Sequence, residues 1–254
     1  MDKIPNNTIT KEQISIIAKR AVAWSLADLN LVIQNAIRLY TETHEVVGLN
    51  YTKLIEAFES FHDGEEKKHF DEQALIKTAY HEAGHAILAN VLAIPIVHTT
   101  IVSRKNYGGY VQFGDENKTD YSKRELLDRI AVYLAGRASE VLFFGSEGIT
   151  TGASADIKSA SGIAENMVCE YGMDETSIIY LERNNNIDLA QSKAKAQLIL
   201  KDQYERAQKL VTVWRCAIEA AAQELLAKNN LSEGEVKDIV NKYKHSTWAI
   251  EGRE

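Results

Sequence analysis

Proline is almost absent: Pro5 and Pro95 are the two in 254 residues. A chain so poor in helix breakers can run long helices, and a mainly α fold is the expectation. Cysteine is as scarce. Cys169 and Cys216 give no disulfide framework and no C-x-x-C metal pattern. Each falls in a helical pattern, where a small core residue is the simpler reading, and a reducing compartment is the default. Long apolar runs are missing too. The longest, 86–97, has 12 residues and contains Asn90 and Pro95, too short to span a bilayer. Met1–Thr10 is polar and shows no signal-peptide pattern; the chain is expected to be soluble as it stands. Positive charge is in deficit. A net charge of −7 argues against nucleic acid or an anionic membrane surface as a partner. The dipeptide Gly-Lys never occurs. A G-x-x-x-x-G-K-[ST] phosphate loop is therefore absent, and ATP is not expected to bind this chain.

What is present is mostly helical periodicity. The boxes Thr10–Gln13, Ser25–Asp28, Ser122–Glu125 and Ser232–Glu235 read as helix starts, and Thr52 and Asp188 as simpler caps. The first three helices form a unit of about 60 residues that buries a limited core. The charged run His62–Gln73 marks the boundary, giving domains 1–70 and 71–254. Ile96–Val102 and Tyr110–Phe113 read as two strands around the turn Tyr107-Gly108-Gly109. The edge of such a hairpin could pair with an extended peptide, or it could merely cover the core. A long helix runs from Ser122 to Phe144 and stops at Gly145. Another spans Ser154 to about Tyr171, with Ile157, Ala160, Ala164 and Val168 on its buried face. Beyond a loop at Asn184-Asn185-Asn186, a helical region with one break reaches about Asn229, and a short last helix carries Val236, Ile239 and Val240.

Chemistry concentrates at His81-Glu82-Ala83-Gly84-His85, an H-E-x-x-H motif in a helix expected from Thr78 to about Ala93. Residues four apart share a helix face, so His81 and His85 can hold one Zn²⁺. Glu82 lies on the adjacent flank, where it could act as a general base. A catalytic zinc takes a third protein ligand. His98 on the first strand, Glu140 on a downstream helix and Asp156 at a helix start are the candidates. Glu140 could instead pair with Arg137 at i, i+3. A helix N-terminus favours the ionised carboxylate of Asp156. Chemistry leaves Glu140 and Asp156 nearly tied.

Several segments taken together resemble the peptidase domain of the FtsH family, the AAA+ ATP-dependent zinc metalloproteases. They are Thr78–Ala86, Gly109-Tyr110-Val111, Ala135–Glu140 with Phe144-Gly145, Thr150–Asp156 and Tyr171-Gly172-Met173. Ala155 departs from the Asn of many members, and Glu175-Thr176-Ser177 lacks the usual glycine and proline. The resemblance implies Asp156 as third zinc ligand, Glu82 as base, and Glu140 as a neighbour that orients a ligand histidine. Ile17–Arg20 with Ala27-Asp28-Leu29 resembles, more faintly, the helical lid that ends an AAA+ module. The implied protein is mainly α: a helical zinc-peptidase domain with a small β-hairpin, preceded by an AAA+ lid-like subdomain. It would be a zinc metalloendopeptidase of class EC 3.4.24 with one Zn²⁺ per chain, acting on unfolded polypeptides. Its partners would be a homohexameric ring and an AAA+ ATPase module in cis or in trans. It would be cytoplasmic, or membrane-associated through a parent protein's anchor; this chain is either a piece of a longer protease or a shortened relative. Two rival readings are a non-catalytic or regulatory subunit that assembles with full-length ATPase-proteases, and a zinc-free helical scaffold.

Overall fold

The computed structural model describes residues 4–21, 24–63, 71–103, 108–114, 118–173 and 186–251. The chain divides into two compact units, Met1–His69 with Val102–Gly108, and Phe70–Ile101 with Gly109–Glu254.

The first unit holds α1 (Lys11–Arg20), α2 (Leu26–His44) and α3 (Tyr51–Asp63). The side chains of Thr10 and Ser25 accept from the third helical N–H, and Gln13 and Asp28 reach back to the cap N–H groups. Asn50, not Thr52, starts α3: its Oδ1 accepts from Lys53 N at 2.9 Å, because the helix begins a residue before Thr52. Ile17, Val32, Ala36, Leu49, Leu54 and Phe58 close a small core, with Trp24 stacked on Phe58 at 4.5 Å. A buried Arg20–Glu59 pair at 3.4 Å lies beside it.

The second unit is built around α4 (Glu72–Val91). This helix starts six residues before the expected Thr78, because Asp71 caps it, accepting from Gln73 N at 2.9 Å. It ends in a Schellman motif: Ile94 N donates to Ala89 O at 2.8 Å and Ala93 N to Asn90 O. Ala93 holds the left-handed position, with φ 58°, and Pro95 prevents further helix. Residues 81–89 are all buried, as befits a central helix packed on every side. Burial of Ile87 and Leu88, both fully enclosed, contributes roughly 1.5–3 kcal/mol each.

Around α4 lie α5 (Lys123–Phe144), α8 (Arg215–Lys228) and α9 (Glu233–Glu251). The helices α6 (Ser154–Cys169) and α7 (Asn186–Val213) pack on α5. Ser122 and Glu125 form the expected box at the start of α5, and Gly145 ends it. The expected break between α7 and α8 falls at Trp214. Asn186 is the first residue of α7 rather than loop, so Asp188 lies inside the helix; Asn184 and Asn185 lie outside the described residues, as do Tyr107 and Asp174–Ser177. The last helix, α9, is 19 residues long, not short, and Ser232 with Glu235 caps it.

The β content is one strand richer than expected. β1 (Ile96–Thr100) pairs antiparallel with β2 (Tyr110–Phe113) on one side and β3 (Asn230–Ser232) on the other. Thr99 faces Val111 and Leu231. A mainly α fold with a small sheet is therefore borne out, as a three-stranded sheet rather than a hairpin. Ile157 is 40% exposed and not on the buried face of α6. The buried residues of α6 are Ala160, Ala164, Met167, Val168 and Cys169, so the expectation holds for Ala160, Ala164 and Val168, and Ile157 sits about 100° around the axis from Asp156.

Candidate metal centre

Two helices meet at one point. His81 and His85 project from α4, and Asp156 comes from the first turn of α6. His81 Nε2 lies 3.0 Å from His85 Nε2 and 3.1 Å from Asp156 Oδ2; His85 Nε2 is 3.4 Å from the same oxygen. These are the residues, among those described, whose ligand atoms cluster as a metal site would need.

The outer nitrogens fix the tautomer of each neutral ring. His85 Nδ1 lies 2.7 Å from the Val132 carbonyl, which can only accept, so Nδ1 carries a proton and, in the neutral ring, Nε2 holds the lone pair. His81 Nδ1 donates to Glu140 Oε1 at 2.9 Å, so in the neutral ring its Nε2 also presents a lone pair. Two ring nitrogens and a carboxylate oxygen then crowd together, an arrangement that a shared proton or a metal cation between them would hold. The proton affinities express the same field. Burial works to lower the pKa of His81, but hydrogen bonds to Asp156 and Glu140 outweigh it and raise it to about 10. His85 is likewise opposed by burial yet pushed up by the charge of Asp156. Burial disfavours the ionised form of Asp156, and the two histidines more than reverse this, holding the carboxyl well below its ordinary range. Two imidazole nitrogens and a carboxylate oxygen are the ligand types of a catalytic zinc site.

Helix α5 leaves the room. A β-carbon on Gly136 would stand 2.5 Å from His81 Nε2 and closer still to His85 Nε2. Only glycine at this point lets α5 back the histidines without filling the space between their ligand atoms. The hairpin approaches from another direction. A β-carbon on Gly109 would lie 2.8 Å from the Thr100 carbonyl and 3.0 Å from Glu82 Cγ, so the start of β2 rests on the helix beside Glu82. Glu82 is buried, and desolvation raises its pKa against the pull of His81 and His85. A carboxyl with raised proton affinity beside a cation site is equipped to take and return a proton.

Glu140 is not part of the ligand triangle. Its Oε1 accepts from His81 Nδ1 and from Thr150 Oγ1, and its Oε2 from Thr150 N, each at 2.9 Å. Arg137 Nε stands 3.6 Å from Oε2. His98 is outside the triangle as well. It is buried in β1, with its ring 6.1 Å from that of Tyr110.

A model of peptidase family M41 matches residues 68–239. The chain belongs to peptidase family M41. The relationship that the motifs suggested is therefore shown. A protein of Mycoplasmopsis pulmonis named ATP-dependent zinc metalloprotease FtsH is 36% identical over 233 residues, covering 86% of this chain and 32% of that relative. The mitochondrial inner membrane m-AAA protease component yta12 of Schizosaccharomyces pombe is 30% identical over 258 residues, 92% of this chain and 33% of its own length. Human ATP-dependent zinc metalloprotease YME1L1 is 32% identical over 235 residues, 89% and 30%. The chain thus spans about a third of the length of these relatives. No helix among the described residues is long and apolar enough to cross a membrane.

Three parts of this cluster's surroundings had no role in the sequence analysis: the Val132 carbonyl, and Thr150 and Gly136, which stood only in the segments that carried the resemblance. A backbone carbonyl has no signature. Gly136 had one, since glycine inside a long helix costs about 1 kcal/mol against alanine and so marks a close approach.

Proposed function

We propose that this chain is the peptidase portion of an FtsH-type protease, a zinc metalloendopeptidase acting on unfolded polypeptides. The carrying observation is the convergence of His81 Nε2, His85 Nε2 and Asp156 Oδ2 within 3.4 Å, beside a buried glutamate. These three residues would hold one Zn²⁺. When bound, zinc supplies Lewis acidity, polarising a carbonyl and acidifying water. Glu82 takes the proton from the water that adds to the peptide carbonyl. It then returns that proton to the nitrogen as the C–N bond breaks. Glu140 accepts the Nδ1 proton of His81, and the Val132 carbonyl that of His85, which would leave both Nε2 atoms free to bind an ion.

Among the described residues the sheet runs β2-β1-β3, and β2, which starts beside Glu82, is the outer strand nearer this point. Backbone pairing along β2 would bring a peptide to the site in extended form.

The first unit is read as an AAA+ lid-like subdomain, and the ATPase as a module supplied in cis or in trans. A homohexameric ring and membrane association through a parent protein's anchor complete the proposal. Support comes from the names of the relatives, which include ATP-dependent and inner-membrane proteases. The test combines metal analysis with cleavage of casein. Zinc at about one per chain, with cleavage lost on chelation and restored by zinc, is the expected result. Zinc without cleavage would favour the regulatory-subunit reading, and no zinc at all the scaffold. A strictly monomeric chain in analytical ultracentrifugation at high concentration counts against a self-sufficient ring.

A further inference from the structure

We propose that Thr150 is a positioning residue that sets His81 and Asp156 against one shared oxygen, Glu140 Oε1; the proposal rests on the zinc-site reading above. Asp156 and His81 lie 75 residues apart in the chain. They reach the same point through two routes, and both routes pass through Glu140.

The first route is short. His81 Nδ1 donates to Glu140 Oε1 at 2.9 Å, which sets the rotation of the imidazole about its own axis. The second begins at the same oxygen. Thr150 Oγ1 donates to Oε1 at 2.9 Å, and the direction of that bond is settled by chemistry. A carboxylate can only accept, and the hydroxyl's own lone pair takes Gly152 N–H at 3.1 Å. Thr150 N donates to the other carboxylate oxygen at 2.9 Å, and Arg137 Nη2 donates to the Thr150 carbonyl at 2.7 Å. Every polar group of Thr150 is therefore engaged, three of them by two side chains of α5.

From Thr150 the path to the ligand is rigid and brief. Its hydroxyl caps the 3-10 turn Thr151–Ala153. Ala153 is fully buried, and α6 begins at Ser154 with Asp156 in its first turn. Asp156 Oδ2 closes the circuit at 3.1 Å from His81 Nε2. A shift of the loop at Thr150 would thus displace Asp156, while a shift of Glu140 would rotate His81. Tying both to one oxygen keeps the two ligands in register with each other. Groups that orient metal ligands from behind commonly carry a tenfold to hundredfold effect on metal affinity.

Thr150→Val removes the hydroxyl but keeps the β-branched shape and both backbone bonds. Thr150→Ser keeps the hydroxyl. The measurements are zinc dissociation constants by competition with a chromophoric chelator, and thermal unfolding of the zinc-free chains. In Thr150→Val, zinc should bind about tenfold more weakly, with zinc-free unfolding within about 2 °C of wild type. Thr150→Ser should bind as wild type does. Wild-type affinity in Thr150→Val overturns the proposal. So does equal weakening in Thr150→Ser, or weakening matched by a large fall in the zinc-free unfolding temperature, which would mark a purely structural role. Failure of the underlying zinc reading looks different: wild type and His81→Gln would then bind zinc equally poorly.

Discussion

Gly136 on α5 faces His81 on α4 so closely that a β-carbon there would lie 2.5 Å from Nε2. Alanine is the better helix former by about 1 kcal/mol, so Gly136→Ala should not harm α5 itself. Its methyl group would instead enter the space where the ligand atoms of His81, His85 and Asp156 converge. The expected outcome is a helical, folded chain by circular dichroism that retains little or no zinc after dialysis. Wild-type zinc content in this variant would sink the placement of the metal between α4 and α5.

Glu82 separates binding from chemistry. It is buried beside the cluster of His81, His85 and Asp156 but is not part of it. Glu82→Gln keeps size and shape and removes the proton acceptor. Zinc content should be unchanged, and casein cleavage should fall by about a hundredfold to ten-thousandfold, the range for loss of a general base. Cleavage at the wild-type rate would show that another group takes the proton.

The parts of this protein that were legible in its sequence are those encoded by local spacing. Two histidines four apart must share a helix face, and Ser122 with Glu125 must meet at a helix start. The third ligand is different in kind. Nothing local in Asp156 or Glu140 says which carboxylate reaches the histidines, because that depends on how α5 and α6 pack. Both do reach His81, from opposite sides of one ring: Glu140 at Nδ1 and Asp156 at Nε2. The near-tie in chemistry thus reflected two real contacts with the same residue. β3 was hidden because three residues are too few to show alternation, and its partner lies some 130 positions upstream. Ile157 misled because its hydrophobicity fits a core, whereas the phase of α6 places Asp156 on the inward face.

The start of α5 offers a test by pH. Glu125 accepts from Lys118, and from Ser122 through both its backbone N–H and its hydroxyl. The Lys118 hydrogen bond, with those from Ser122, lowers its pKa from 4.5 to about 2. A group whose pKa is lowered by folding stabilises the folded state above its unfolded value. That contribution is lost as pH falls through the folded value. Wild type should therefore lose stability between about pH 4.5 and 2. Glu125→Gln can still form the capping box but cannot titrate, so its unfolding temperature should fall less over the same window. Equal slopes in the two chains would show that the box contributes nothing that depends on charge.

The outer strand β2 can be tested from the substrate's side. Tyr110–Phe113 pairs with β1 through one edge. If a peptide pairs with the other, its own N–H groups on alternate residues must donate to β2. Methylating one backbone nitrogen removes a donor without changing any side chain. In a short fluorogenic peptide carrying single N-methyl groups outside the scissile bond, cleavage should depend on position with period two. Each sensitive position forfeits about 1 kcal/mol, or roughly fivefold in kcat/KM. The loss should fall on KM, since pairing remote from the reacting carbonyl holds ground state and transition state alike. A uniform response along the peptide, or none, would place the substrate elsewhere and leave β2 as cover for the core.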